Sequence, residues 1–273
     1  MIQRLVSVPS GDWRSFSSLN RPIRDWQDKR VWIVGASTGI GAALARQLHA
    51  AGARLALSAR NRDRLAELGA DWSSTLCLAL DVTEPGSLEQ AGKRIVEAWG
   101  GVDLVVLNAG TYSAVRAWEL DPQAARTTVE TNLLGVINGV AAVLPAMLAR
   151  GSGAIAVVGS VAGYRGLPNA IVYGATKSAL INFCETLYLD LRPKGIDVFL
   201  VSPGFVDTPL TAQNRFSMPA LVSAQEAACR IVAGFAQGCF EIHFPKRFTL
   251  GLKLLELLPY RLYFALVRRM TGL

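Results

Sequence analysis

The sequence predicts an α/β fold with one doubly wound parallel sheet of about seven strands and helices on both faces. Two observations support this prediction. Seven short runs are continuously apolar, as expected for strands that are covered on both faces. Segments with helical periodicity separate the runs, and alternation of strand and helix is typical of a parallel sheet. Both features lie between about residue 30 and residue 245 of the 273-residue chain.

The strands and helices can be assigned in chain order from these two periodicities. The apolar runs predict strands at Val31–Gly35, Arg54–Ser58, Leu76–Leu80, Asp103–Leu107, Ala154–Ser160, Ile196–Val201 and Cys239–Phe244. Helical spacing predicts helices at Ile40–Ala51, Ser87–Trp99, Gln123–Ala149, Ile171–Leu191 and Ala224–Gln237. Residues 30–245 are therefore expected to form one domain.

The segments before and after this domain differ from it in composition. Residues 1–29 are polar, with Trp13 and Trp26 among scattered charges, and we interpret them as an extension that lies on the surface or is partly disordered. Residues 246–273 form a basic, leucine-rich tail. No signal-peptide pattern is visible at the N-terminus, and no uncharged apolar run of about 18 residues predicts a spanning helix. A cytoplasmic protein is expected.

Composition and charge exclude several kinds of protein. The chain is 51% hydrophobic and 18% charged, which excludes a disordered chain. The net charge is +7, but the positive residues form no single long run, so nucleic acid is not an expected partner. His49 and His243 are far apart in sequence and predict no metal site. The four cysteines form no CxxC pair and are interpreted as small buried side chains: Cys77, Cys184, Cys229 and Cys239.

A glycine-rich segment follows the first predicted strand and begins the first helix. Glycines there allow a tight turn and let the backbone approach a pyrophosphate, while the helix N-terminus supplies free N–H groups. A strand–helix turn without a ligand is the alternative. The pattern favours a Rossmann-type sheet that binds a dinucleotide, with contacts from Gly35, Ser37, Thr38, Gly39, Ile40 and Gly41.

The end of the second strand indicates which dinucleotide is bound. An NAD site usually has Asp or Glu there, which accepts hydrogen bonds from the ribose 2′-OH. This chain has Arg60 instead, whose charged guanidinium can bind a 2′-phosphate. Arg62 is less informative because it can already belong to the next helix. The sequence therefore predicts NADP(H), unless Arg60 is only a solvated loop residue.

Ser160, Tyr173 and Lys177 form the candidate catalytic group. Residues four apart on a helix share one face, so Tyr173 and Lys177 can point into one cleft, and Ser160 ends the preceding strand. A free tyrosine has a pKa near ~10, and a lysine ammonium at ~4 Å could lower it by roughly three units. An amphipathic helix that happens to carry Tyr and Lys is the alternative for this pair alone.

These motifs occur in order with Asn108-Ala109-Gly110, Asn132 and Pro203-Gly204. The whole array resembles the classical short-chain dehydrogenase/reductase family over roughly residues 30–245. Val34 departs from the Thr that often precedes the first glycine in this family. Thr38 stands where many NADP-preferring members have a basic residue, so the NADP prediction depends mainly on Arg60.

The resemblance implies a role for each matching residue. Tyr173 would exchange a proton with the substrate oxygen, Lys177 would lower the tyrosine pKa and hold the nicotinamide ribose, and Ser160 would bind the substrate oxygen. Asn132 would help to hold a proton-relaying water chain. The remaining implied cofactor contacts are Asp81 and Val82 at the adenine, Asn108, Ala109 and Gly110 in the pocket, and Pro203, Gly204, Val206 and Thr208 beside the nicotinamide. A homodimer or homotetramer is also expected.

The segments after Thr208 bear on the substrate. The lid that this family usually forms there is short, with Leu210, Phe216 and Met218 as apolar elements, and indicates a pocket that tolerates apolar groups. Residues 246–273 have leucines at helical spacing, a break at Pro259 and six positive charges against one negative. Such a segment fits the interface of an anionic membrane, which would favour a lipophilic carbonyl or alcohol substrate. Packing of the tail on the core or on a second subunit is the alternative.

The sequence thus predicts an NADP(H)-dependent oxidoreductase that interconverts a ketone or aldehyde and an alcohol. Two rival hypotheses use the same fold: a non-catalytic NADP(H)-binding regulator, and a scaffold that is recruited to a membrane by its tail. Intact Ser160, Tyr173 and Lys177 argue against the regulator, because a protein that only binds the cofactor does not need all three residues. Turnover of a carbonyl with NADPH would distinguish the enzyme from both rivals.

Overall fold

The computed structural model describes residues 18–214 and 217–272, and these contain a seven-stranded parallel sheet. Its strands are β1 (Arg30–Val34), β2 (Arg54–Ala59), β3 (Leu76–Ala79), β4 (Leu104–Leu107), β5 (Gly153–Val158), β6 (Ile196–Pro203) and β9 (Glu241–Phe244). They lie in the order β3-β2-β1-β4-β5-β6-β9, so the direction of winding reverses between β1 and β4. In an open sheet this reversal leaves a crevice at the carboxyl ends of the two strands. The fold class predicted from the sequence is confirmed.

Helices cover both faces of the sheet, and each face has its own apolar core. The helices are α1 (Gly39–Ala50), α2 (Arg62–Gly69), α3 (Ser87–Trp99), α4 (Pro122–Val129), α5 (Gly135–Arg150), α6 (Ile171–Leu191), α7 (Ala224–Gln237), α8 (Lys246–Glu256) and α9 (Tyr260–Thr271). Side chains from α1, α2 and α7 pack on one face, and those from α3, α5 and α6 pack on the other. The sequence prediction did not include α2 or the two-residue strands β7 (Val206–Asp207) and β8 (Val222–Ser223).

The helix predicted over Gln123–Ala149 is interrupted by a π-helical turn at Glu130–Leu134. A π turn holds more residues than an α turn and therefore changes the direction of the side chains within it. Asn132 lies in this turn and is completely buried. The continuous helix from Pro122 to Arg150 is long and apolar enough to cross a membrane by length and composition, but α5 contributes four core side chains: Val136, Val140, Val143 and Met147.

Most of residues 18–29 lie exposed on the surface of the domain, as expected, but Asn20 and Trp26 are buried in it. The Asn20 side chain donates to the Val198 carbonyl at 2.7 Å and accepts from the Val198 N–H at 3.2 Å. Trp26 is 5% exposed and packs on Phe235 of α7. Isolated polar and aromatic residues gave no periodic signal, so this docking was not visible in the sequence. Trp13 lies outside the described residues.

The expectation that all four cysteines are buried is wrong. Cys184 on α6 is buried, but Cys77 and Cys229 are exposed and Cys239 is partly exposed. Cys77 lies on β3, an edge strand whose outer side chains are accessible. All four thiols are free.

Candidate active site

The glycine-rich turn lies directly against the end of β4. Gly35 has a φ of +89°, and a Cβ atom at this position would be 2.6 Å from the backbone nitrogen of Ala109. The Asn108 side chain donates to the Gly35 carbonyl at 2.8 Å. Only glycine allows this backbone conformation and close approach without strain. Asn108 and Ala109 therefore hold the turn in place.

The N-terminus of α1 is open to the crevice. Thr38 precedes the helix, and among the described residues no side chain caps its N-terminus. The first turn carries no acidic side chain, so its N–H groups and the helix dipole remain available to an anion. Gly39 has a φ of +55°, and a Cβ there would lie 2.9 Å from the Thr208 methyl group.

A cavity of about 390 Å³ lies in front of this helix. Its position, its glycine-rich wall and the uncapped helix fit the adenosine and phosphate groups of a dinucleotide. Gly41 is buried behind the turn rather than on the cavity wall. The sequence-predicted residues that line the cavity are Gly35, Ser37, Thr38, Gly39, Ile40, Arg60, Asp81, Val82, Asn108, Ala109, Gly110 and Thr208.

Arg64 lines the same cavity and was not identified from the sequence. Arg60 and Arg64 both have exposed side chains, and they lie at the end of the cavity that Asn61 also lines. The Asn61 side chain caps α2 by accepting from the Arg64 N–H at 2.9 Å, which brings the first turn of α2 next to Arg60. The signal that could have identified Arg64 is the cap residue Asn61 three positions before it.

Asp81 and Val82 form another part of the wall after β3. The Asp81 carboxylate accepts from the N–H and hydroxyl of Thr83 at 2.9 and 2.8 Å, so it fixes its own turn. Val82 is 7% exposed and presents an apolar surface. The apolar surface of Val82 is suitable for contact with the flat adenine ring of a dinucleotide.

Ser160, Tyr173 and Lys177 are brought together at the carboxyl end of β5. Ser160 is buried, its hydroxyl accepts from the Ala162 N–H at 3.1 Å, and it shares a hydrogen bond with Tyr173. The Lys177 ammonium donates to the Val158 carbonyl at 2.8 Å and lies 5.6 Å from the centre of the Tyr173 ring. The helical spacing of Tyr173 and Lys177 thus places both side chains on one face of α6.

The pKa values differ from the sequence expectation. Burial raises the pKa of Tyr173 to about 12, although the Ser160 hydrogen bond acts in the opposite direction. Burial also lowers the pKa of Lys177 to about 8. The expected lowering of the tyrosine pKa by lysine is therefore not found. Both side chains lose hydration in the folded protein, and this loss disfavours the charged phenolate of Tyr173 and the charged ammonium of Lys177. Tyr173 consequently remains a protonated phenol at neutral pH.

Asn132 makes its hydrogen bonds to the loop after β4. Its side-chain oxygen accepts from the Thr111 N–H at 2.7 Å, and its amide nitrogen donates to the Thr111 carbonyl at 2.8 Å. The same nitrogen lies 3.3 Å from the Thr176 hydroxyl, one residue before Lys177. Asn132 thus ties this loop to α6 in addition to any contact with water.

Tyr112 is a further side chain at this site that the sequence did not indicate. It is half-buried, and its ring meets the Tyr173 ring edge to face with a centroid distance of 4.9 Å. Its carbonyl accepts from the Gln213 side chain at 2.6 Å, which attaches the predicted lid to this loop. Leu210 lines the cavity, and Phe216 lies outside the described residues.

The three residues expected beside Thr208 do not line this cavity. Pro203 ends β6, and the Gly204 N–H donates to the Phe244 carbonyl at 2.7 Å. Val206 is 3% exposed in β7. Thr208 is the member of the group that lines the cavity.

Comparison with known proteins agrees with this geometry. A sequence model of short chain dehydrogenases matches residues 29–218. An uncharacterized oxidoreductase of Myxococcus xanthus is 34% identical over 242 residues, covering 87% of this chain and 96% of its own. A putative ketoacyl reductase of Streptomyces coelicolor is 37% identical over 219 residues, covering 76% and 83% of the two chains.

Solved structures with the same fold contain either form of the nicotinamide cofactor. A short-chain dehydrogenase/reductase of Burkholderia phymatum in complex with NAD has a TM-score of 0.78 and 25% identity, covering 85% of this chain and 94% of its own. A short-chain dehydrogenase of Burkholderia cenocepacia in complex with NADP has a TM-score of 0.75 and 26% identity, covering 84% and 94%. The strand order, the position of the glycine turn and the sequence matches all lead to one assignment: the chain belongs to the short-chain dehydrogenase/reductase family.

Proposed function

We propose that this protein is an NADP(H)-dependent oxidoreductase that reduces a ketone or aldehyde to an alcohol and catalyses the reverse reaction. The observation that carries the proposal is the partly buried phenol of Tyr173, hydrogen-bonded to Ser160 and one helical turn from Lys177. Its pKa of about 12 keeps the proton on the phenol at neutral pH, which is the form that carbonyl reduction needs. Reduction is the direction we expect, because NADPH is usually the reducing form of the cofactor pool.

Each residue of the site has a defined task in this proposal. NADPH, when bound, supplies the hydride. The turn at residues 35–41 and the N-terminus of α1 bind its pyrophosphate. Ser160 donates to the substrate carbonyl and orients it, and Tyr173 gives its proton to the same oxygen as negative charge develops. Lys177 donates to the nicotinamide ribose and keeps a cation one helical turn from Tyr173, and Asn132 positions the loop that holds Tyr112.

A screen of NADPH oxidation over ketones and aldehydes of increasing chain length tests the activity. Turnover of any carbonyl compound would support the proposed oxidoreductase activity. Tight NADPH binding without turnover would favour the non-catalytic regulator, and absence of both would favour the scaffold. The name of the Streptomyces coelicolor relative, a putative ketoacyl reductase, makes 3-keto thioesters sensible members of the screen.

We expect NADP(H) to bind at least about tenfold more tightly than NAD(H). Arg60 and Arg64 line the end of the cavity where the ribose 2′-phosphate would lie. A hydrogen bond to a charged group contributes roughly 1.5–3 kcal/mol, which corresponds to this preference. Fluorescence titration with both cofactors measures it, and Arg60→Asp should reduce the ratio. Arg94→Asp, on the exposed face of α3, is the matched control. Tighter NAD(H) binding by the parent would refute the proposal.

The tail supports a lipophilic substrate and an anionic membrane as a binding surface. Leucines on α8 and at its C-terminal end lie at helical spacing, and Leu250, Leu254 and Leu257 are 50%, 67% and 80% exposed. The face of α9 that contains Tyr263 and Val267 packs inward, which the sequence did not distinguish. The large apolar side chains that remain exposed on α9 include Leu262, Phe264, Leu266 and Met270.

The charges of the tail are distributed less simply than the sequence suggested. Lys253 forms an ion pair with Glu241, and Lys246 lies 3.2 Å from His243 Nε2. Other cations of the tail are exposed at the surface, and these include Arg247, Arg261 and Arg269. Exposed arginines beside exposed leucines favour the interface of an anionic bilayer, where each basic residue contributes about 1 kcal/mol.

We expect the full chain to co-sediment with vesicles of phosphatidylcholine and phosphatidylglycerol, and to bind phosphatidylcholine vesicles less. Salt should weaken the binding without abolishing it, because the apolar face remains inserted. The double variant Leu254→Glu/Leu257→Glu should no longer co-sediment with the vesicles. Val96→Glu, another exposed apolar position, should bind like the parent. Unchanged binding by the double variant would contradict this role of the tail.

Assembly into a homodimer or homotetramer is part of the proposal, with a cytoplasmic location at the membrane periphery. Exposed apolar side chains on α5 and α6 support a contact between copies, and these include Leu148, Ile171 and Leu189. Light scattering on the parent and on Leu189→Glu tests this contact separately from vesicle binding.

A further inference from the structure

The loop between the two candidate catalytic positions is attached to the C-terminal helices. Residues 161–172 connect Ser160 to Tyr173, and Arg165 lies in the middle of this loop. Its Nη1 atom lies 2.8 Å from the Leu255 carbonyl, 3.0 Å from the Glu256 carbonyl and 2.7 Å from the Leu258 carbonyl. The last carbonyls of a helix have no partner within the helix, and a cation there also interacts favourably with the helix dipole. Arg165 therefore caps the C-terminus of α8 from the catalytic loop.

The same side chain contacts α9 through two aromatic rings. The Arg165 guanidinium carbon lies 4.0 Å from the centre of the Tyr263 ring and 5.0 Å from that of Tyr260. The Tyr263 hydroxyl donates to the Gly166 carbonyl, and Tyr263 is 2% exposed. Arginine is suited to such a site because its planar group stacks on rings while its N–H groups donate in the plane. One residue thus joins the break between α8 and α9 to the loop.

Tyr164 adds a third contact of the same loop. Its hydroxyl donates to the Glu241 carboxylate at 2.6 Å, and Glu241 is paired with Lys253 of α8. Three consecutive loop residues therefore each contact the C-terminal segment, directly or through β9. At the two ends of the loop, Ser160 and Tyr173 share their hydrogen bond.

We propose that Arg165 is a positioning residue, which uses the helix pair α8–α9 to fix the loop that aligns Ser160 with Tyr173. The proposal rests on the proposed carbonyl reduction. It makes the tail part of the active-site support as well as a candidate membrane surface. The glycine turn and the arginines of the cofactor cavity belong to other elements, so cofactor binding should not depend on this contact.

Kinetics and hydrogen exchange on the full chain test the proposal. Arg165→Ala should lower kcat/KM for the carbonyl at least about tenfold and leave the NADPH Kd within about twofold. Amide exchange in residues 161–172 should become faster in this variant. Tyr263→Phe removes one hydrogen bond and keeps the ring, so it should give an intermediate loss. Arg94→Ala is the control for loss of an exposed arginine.

The possible outcomes separate this proposal from the proposed function. If Arg165 were only structural, its removal would lower Tm without changing kcat/KM well below that temperature, and this result would overturn the positioning role. Unchanged amide exchange in the loop would overturn it as well. If the parent reduces no carbonyl, the proposed function fails, while the exchange measurement still decides whether Arg165 orders the loop.

Discussion

Replacement of Tyr173 by Phe is expected to remove nearly all carbonyl reduction while NADPH affinity stays the same. The variant keeps the ring, including its edge contact with Tyr112, and loses only the hydroxyl that shares a hydrogen bond with Ser160. A positioned proton donor contributes about 10²–10⁴-fold to the rate, so kcat should fall by this factor. Stopped-flow or steady-state NADPH oxidation measures kcat, and fluorescence titration measures cofactor binding.

Tyr188→Phe is the matched control for this experiment. Tyr188 lies on the same helix, α6, and its hydroxyl donates to the Leu19 carbonyl at a distance from the site. The control should retain the parent kcat. If Tyr173→Phe also retained it, Tyr173 would not be the proton donor and the proposed chemistry would be wrong.

Replacement of Lys177 by Ala should reduce kcat by about 10²-fold or more and also weaken NADPH binding by about tenfold. Two tasks are lost together: a cation beside the phenol that must give up a proton, and a donor to the cofactor ribose. The lysine is 5% exposed, so neither task is easily taken over by water. Kinetics and fluorescence titration measure the two losses, and Lys194→Ala, an exposed lysine after α6, is the control.

The same lysine predicts the pH dependence of the parent. The pKa of Lys177 is about 8, so the ammonium is present below pH 8 and is lost as the pH rises through this value. Because the pKa of Tyr173 is about 12, the phenol keeps its proton over the same range. We expect kcat/KM for reduction to be level below pH 8 and to decline above it. Lys177→Ala should lack this decline, and an unchanged profile in that variant would assign the titration to another group.

Much of the fold followed from the sequence because burial on both faces leaves a strong local signal. The prediction of α6 at Ile171–Leu191 is confirmed at both ends, and each of the seven predicted strands lies within two residues of its observed bounds. The helix α2 was missed because it is short and mostly exposed, with Leu65 and Leu68 as its buried residues. The burial of Asn20 and Trp26 was not predicted, because their partners are remote in sequence.

In the candidate site, too, features set by local spacing could be predicted, whereas features set by tertiary contacts could not. The face shared by Tyr173 and Lys177 is a property of one helix, and it could be derived from spacing alone. The pKa of Tyr173 could not be derived from spacing. The direction in which the pKa shifts depends on how far the neighbouring elements exclude water from the phenol. Tyr112 and Arg165 act through contacts between separate elements, and no motif indicates them.

The docking of residues 18–26 has a consequence for the order in which this chain folds. The Asn20 side chain bonds to residues 178 and 219 positions later, at Val198 and Cys239. Arg21 likewise reaches Asp197, 176 positions away. During synthesis from the N-terminus these partners do not yet exist, and closing so long a loop is slow. The first described residues of the chain must therefore be among the last to reach their places, and they complete the domain once β6 and the end of α7 have formed.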